Sequence, residues 1–134
     1  ARERLTRLLG LWGAQTAFTL PDRLPAIVCV ESGWDRHFGD AEAVHHPFVS
    51  LELAETLWAR GARVLCVDAL SPDPSAQPES TGLPVHELWL GGDGVIVENL
   101  TGLDRVPDEV ELSLLPLRLA GVDGSPIRAV ARVP

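Results

Sequence analysis

At 134 residues and 46% hydrophobic composition, the chain suits one domain, residues 1–134, with a core of ordinary size. A formal net charge of -8, with the basic residues scattered, excludes a DNA or RNA partner, because phosphate-backbone binding needs a basic stripe that displaces counterions. The opening residues ARERLTRLLGLWGAQ carry charges and no long apolar run, which argues against a signal peptide or a membrane span and predicts a cytoplasmic protein.

Leu5, Leu8, Leu9 and Trp12 fall at helical spacing and predict an amphipathic helix from Arg2 to about Gln15. Residues 26–31 form a short, continuous apolar run between Pro25 and Ser32-Gly33, which predicts a buried strand. Ser32 to Pro47 is rich in Gly, His, Asp and Trp, a composition suited to a site loop. Ser50 then caps a helix running to about Arg60, with Glu52 and Glu55 early and Gly61 just past its end. Residues 63–68 form a second buried strand ending at Asp68, and the strand, helix, strand order predicts a right-handed parallel crossover. The stretch 69–84 holds Pro72, Pro74, Pro78 and Pro84 and is expected to be a long surface loop. A short helical turn follows around His86. Val95–Val97 make a third strand, Val110–Leu119 a longer one in which Pro116 marks an edge or a bulge, and Pro126–Val133 the last, after turn signals at 121–125. The alternation of strands and helices predicts an α/β fold. Cys29 and Cys66 lie inside apolar runs and are expected to behave as small buried hydrophobes.

His86 and Glu98 are the candidate metal ligands. Twelve positions apart, they flank a glycine turn and an apolar strand, and sites in open α/β sheets gather outside the carboxyl ends of strands. The bland alternative for Glu98 is a carboxylate that caps the turn from Asn99 to Gly102. Gly91, Gly92 and Gly94 lead into a strand, not into a helix N-terminus, so they are turn residues and no phosphate cradle. Asn99-Leu100-Thr101 is a formal glycosylation acceptor without a secretion signal to support it, and neither Ser71 nor Ser113 sits in a nucleophile motif.

The segments SGWDRHFG (32–39), HHPF (45–48), VHELWLGGDGVIVENLTGLD (85–104) and LPLRLAGVDGSPIRAVA (115–131) resemble the cyclase family of metal-dependent hydrolases, which includes bacterial kynurenine formamidases and isatin-hydrolase-like enzymes. The resemblance runs from about Val30 to Ala131. It implies a swivelling β/β/α fold, incomplete at its N-terminus. It implies that His86 and Glu98 complete a zinc or manganese site, the glutamate able to bridge two metals and the histidine binding one. It places Trp34 near the pocket, either against an aromatic substrate with Arg36 or His37 offering polar contacts or closing the core beneath the loop, and gives His46 an orienting role or a loop-fixing hydrogen bond. It also implies an aryl formamide or a cyclic amide as substrate.

The family's N-terminal signature H-x-G-T-H-x-D, which carries further ligands and the proton-shuttling histidine, is absent from the chain. Three explanations are carried forward: a piece of a longer cyclase, one subunit of a split enzyme, or a non-catalytic binding module. Each predicts association, as a homo-oligomer or with a partner that carries the missing N-terminal half, because a truncated sheet exposes strand edges and apolar faces.

Overall fold

The central strands are buried along nearly their whole length, and their side chains alternate between two cores, one on each face of a parallel sheet. The computed structural model describes residues 6–9 (backbone only), 20–76 and 82–133. Strands β1 (Thr6–Leu9), β2 (Ile27–Glu31), β3 (Val64–Val67) and β4 (Val95–Val97) pair in parallel in the order β1-β2-β3-β4. Val28, Val30, Leu65 and Val67 face one core, with Ile96 packed against it, while Ile27, Cys29, Cys66 and Val97 face the other.

The first core is closed by two helices, α1 (Leu51–Ala59) and α2 (Pro84–Gly91), through Ala54, Leu57, Val85 and Trp89. The second is closed by an antiparallel hairpin, β5 (Glu111–Pro116) with β6 (Ile127–Arg132), whose inward residues Leu112, Leu114, Ile127, Ala129 and Ala131 lie on it. Helices, parallel sheet and hairpin thus stack as three layers, which is the β/β/α arrangement that the resemblance implied.

Several expectations hold. β2 and β3 lie within the ranges read as buried strands, and the helix between them starts where Ser50 Oγ accepts from Leu53 N–H at 3.2 Å. Cys29 and Cys66 are register partners on β2 and β3, both fully buried and free. The hydrogen bond between their side chains, with burial added, holds the Cys29 thiol far above the ordinary range, so it stays protonated.

Others are corrected. Thr6–Leu9 is a strand, where helical spacing had predicted part of a helix; the parallel ladder to β2 satisfies this backbone from outside the segment, and the remainder of that predicted helix lies outside the described residues. The loop at 69–84 is not wholly a surface loop, because Pro72 and Asp73 are fully buried and helix α2 already begins at Pro84. The strand expected over Val110–Leu119 is shorter, ending at Pro116, which pairs with Ile127. Among the described residues no helix is long and apolar enough to cross a membrane.

The glycine turn after α2 is shaped by two indoles. Trp58 of α1 meets Trp89 of α2 edge to face, with ring centroids 5.3 Å apart at 80°, and the Arg63 guanidinium sits 4.2 Å from the Trp58 centroid. A Cβ on Gly94 would lie 2.5 Å from Trp89 Cδ1 and 2.8 Å from the Trp89 carbonyl oxygen. Since both belong to a packed core, Gly94→Ala is expected to cost about 1–3 kcal/mol, read as a lower urea midpoint at unchanged m-value. An unchanged midpoint would show that the turn can move away from the indoles.

Candidate functional site

The carboxyl ends of the parallel strands and the segments that follow them collect the polar residues of the molecule. After β3, Asp68 accepts from Ser32 N–H (2.9 and 3.0 Å to its two oxygens), from Gly33 N–H (2.7 Å) and from Ser32 Oγ–H (2.7 Å), which pins the turn after β2 to the end of β3. Two 3-10 turns follow, Trp34–His37 and Ala41–His45, and Asp35 Oδ2 accepts from Gly102 N–H at 3.1 Å, tying the first turn to the loop beyond β4. Asn99 adopts a left-handed backbone with φ 56, a conformation that asparagine tolerates, and turns the chain just past Glu98.

His86 and Glu98 come together. His86 stands in the first turn of α2, Glu98 one residue past β4, and His86 Nε2 lies 3.4 Å from Glu98 Oε1. On its other side, His86 Nδ1 is 2.7 Å from Asp73 Oδ2. A carboxylate only accepts, so Nδ1 carries a hydrogen toward Asp73; on the neutral ring Nε2 is then the lone-pair nitrogen that faces Glu98, and on the protonated ring Nε2–H donates to Glu98. Asp73 is fully buried and also accepts from the amides of Val85 (3.0 Å) and His86 (3.0 Å) at the start of α2. It was missed in the sequence, where it lies among prolines and serines. One signal was available: Leu83, at the N-cap position of α2, has no side-chain acceptor, so the first amides of that helix need one from elsewhere in the chain.

His46 is buried, with Nδ1 donating to the Pro47 carbonyl at 2.8 Å and Nε2 accepting from the Ser75 hydroxyl at 2.7 Å on its neutral ring. It makes the loop-fixing bond, and only when protonated does its charge act on Glu98. Trp34 is half-buried, its indole N–H donating to the Glu42 carbonyl at 3.2 Å, and it lines an open cleft of about 220 Å³ with Phe38, Ala69 and Asn99. Arg36 is exposed and lies outside that lining; its guanidinium is 5.9 Å from the Trp34 ring centroid and its Nε–H donates to His37 Nε2 at 3.1 Å.

Burial pushes the Glu98 carboxyl above its ordinary range, and the Asp73 charge pushes the same way; His86 and His46 pull it down without cancelling the rise. With the folded value above the unfolded one, the stabilisation is fully present below the ordinary glutamate range and is lost as pH rises through the raised value. Glu98→Gln, which never ionises, removes that loss. Its thermal midpoint in chelator is therefore expected to exceed that of the native chain at neutral pH and to converge with it in acid. Parallel curves across pH 4–8 would contradict the rise.

Residues 14–74 match the family model described as "Putative cyclase". The chain is 38% identical over 84 residues to a kynurenine formamidase of Sphingopyxis alaskensis, which covers 63% of this chain and 39% of that protein. It is 39% identical over 100 residues to a kynurenine formamidase of Maricaulis maris, covering 74% and 42%. Among solved structures it is similar to an isatin hydrolase bound to the product analogue thioisatinate, with TM-score 0.69, 28% identity, and coverage of 81% of this chain and 45% of that one. It is also similar to a predicted metal-dependent hydrolase from Bacillus stearothermophilus, with TM-score 0.61, 28% identity, and coverage of 78% and 48%. The chain thus spans about two fifths of the length of these curated relatives and under half of these solved chains. Over residues 14–74 the chain is thus similar in sequence to the cyclase family, and over 81% of its length it is similar in fold to an isatin hydrolase.

Proposed function

We propose that this chain supplies two metal ligands, His86 and Glu98, and part of the substrate wall to a metal-dependent hydrolase that cleaves an amide C–N bond. Aryl formamides of the kynurenine formamidase type are the first substrate class. One observation carries the proposal. His86 Nε2 and a Glu98 carboxylate oxygen face each other at 3.4 Å while Asp73 holds Nδ1, so on the neutral ring they are two acceptors that a proton or a cation joins. Ligand bonds of about 2.0–2.2 Å meeting at a tetrahedral centre separate two donor atoms by roughly 3.3–3.6 Å, so the pair has the spacing of two ligands on one ion.

Histidine nitrogen with carboxylate oxygen suits zinc and manganese alike. Among the described residues no group of three potential ligands occurs, and the H-x-G-T-H-x-D signature is absent from the chain. The remaining ligands and the proton-transferring histidine are therefore assigned to residues outside this chain, on a longer polypeptide or on a partner subunit. When bound, the metal supplies Lewis acidity toward a carbonyl and lowers the pKa of water. The chain's own residues do the rest: His86 presents Nε2, Glu98 brings negative charge, His46 holds the loop beneath them, and Trp34 offers an indole face to an aromatic substrate. A cyclic amide is the second substrate class, favoured by the likeness to an isatin hydrolase.

The test is hydrolysis of N-formylkynurenine and of isatin by the complete assembly, with chelator and with zinc or manganese restored. Activity lost to chelator and regained with metal is expected. Hydrolysis that survives chelation defeats the metal assignment, and no hydrolysis of either substrate with metal restored favours a non-catalytic binding module.

A further inference from the structure

We infer that Asp73 is a positioning residue that sets the tautomer and the aim of His86. The functional sense of this rests on His86 being a metal ligand, whereas the tautomer stands on hydrogen-bond chemistry alone.

Asp73 has no exposure, and its two oxygens take three donors from one short segment. Oδ1 accepts from Val85 N–H at 3.0 Å; Oδ2 accepts from His86 N–H at 3.0 Å and from His86 Nδ1–H at 2.7 Å. The same carboxylate therefore fixes the backbone that carries the imidazole and the imidazole itself. The ring is held at both its root and its tip. It cannot flip to exchange its nitrogens without breaking the shortest of these bonds, and its proton is drawn to Nδ1. Nε2 is left as a lone pair, the form in which a histidine binds a metal.

Asp73 is itself held. Its N–H donates to Ser71 Oγ at 3.1 Å, Val49 N–H donates to the Pro72 carbonyl at 2.8 Å, and the Ser75 hydroxyl donates to His46 Nε2 at 2.7 Å. The tethers on either side of Asp73 join the segment 71–75 to His46 and Val49, which lie between the site turns and α1. This explains why a stretch rich in proline and serine is buried at its centre. Its middle residue takes the place of the missing N-cap of α2, and the burial keeps water from competing for the carboxylate.

The rival acceptor for the imidazole proton is Glu98, 3.4 Å from Nε2. With Asp73 removed, Glu98 is the carboxylate paired with the ring among the described residues, and the proton moves to Nε2, where it blocks the ligating lone pair. Asp73→Ala thus reverses the tautomer without touching either proposed ligand.

The experiment is long-range 15N–1H correlation NMR on the purified 134-residue chain, titrated upward in pH until the His86 ring is neutral. In the native chain Nδ1 is expected to be protonated and Nε2 to be the lone-pair nitrogen. In Asp73→Ala the assignment is expected to reverse, and in the complete assembly this variant is expected to bind Zn2+ roughly 10–100-fold more weakly. A native ring protonated at Nε2, or an Asp73→Ala chain that keeps the Nδ1–H tautomer, overturns the inference. If Asp73→Ala fails to fold, the native spectrum still decides by its own tautomer. A native Nδ1–H ring together with hydrolysis in the complete assembly that survives chelation supports the positioning role while defeating the metal assignment, so the two failures are distinguishable.

Discussion

Replacing either His86 or Glu98 in the complete hydrolase is expected to lower kcat/KM for its amide substrate by roughly 10²–10³-fold or more, the scale on which loss of one preorganised electrostatic contact in an active site is felt. The two side chains reach the site from different elements, α2 and the end of β4, and meet at 3.4 Å. Neither has a substitute nearby: His46 has both ring nitrogens engaged, and Asp73 is occupied by three donors. His86→Ala should therefore lose metal as well as activity, seen as a fallen metal-to-protein ratio after gel filtration. Glu98→Gln separates charge from shape. It keeps a carbonyl oxygen in reach of His86 but removes the negative charge, so it should bind metal more weakly than the native protein and more strongly than Glu98→Ala. Native rates of N-formylkynurenine and isatin hydrolysis in all three variants would show that the pair is structural.

The layers of the fold were legible where the signal is local. β2 is a run of apolar residues ended by Ser32-Gly33, and α1 announces itself through Ser50, Glu52 and Gly61, so neither needs distant information. What failed was local pattern set against distant partners. Thr6–Leu9 lies in a stretch with helical spacing, yet it adds to the edge of the sheet beside β2, because a parallel ladder is a property of two segments and no period in one of them reports it. The site shows the same division. His86 and Glu98 were found because the residues flanking them carry the family resemblance. Asp73 was not, because its role appears only when segment 71–75 is folded under the start of α2, and its neighbours Pro72 and Pro74 read as exposed loop. Asp68 and Asp73 illustrate why buried carboxylates escape sequence reading: most of their partners are backbone amides, which any residue could supply.

Trp89→Ala is expected to be the most destabilising single change in the core, at about 3–5 kcal/mol for the emptied volume. Trp89 is fully buried and is the largest such side chain, its indole N–H donates to the Arg63 carbonyl at 2.9 Å, and its ring meets Trp58 edge to face. Domains of this size have about 5–15 kcal/mol in total, so the variant should be largely or wholly unfolded at modest urea concentrations. Trp89→Phe tests which part matters: it retains an aromatic ring against Trp58 but drops the N–H donor, leaving the Arg63 carbonyl without that bond, and should cost less than the alanine change. If the two variants were equally destabilised, the hydrogen bond would outweigh the packing. The consequence reaches the site, because Trp89 lies one turn beyond His86 on the same short helix, and α2 is held at its start by Asp73 and along its length by this indole. A cavity beneath Trp89 frees the helix to shift, and His86 Nε2 then leaves its place opposite Glu98. In Trp89→Phe, weaker Zn2+ binding by a folded complete assembly would show that the core on the helical face of the sheet sets the geometry of the proposed ligand pair.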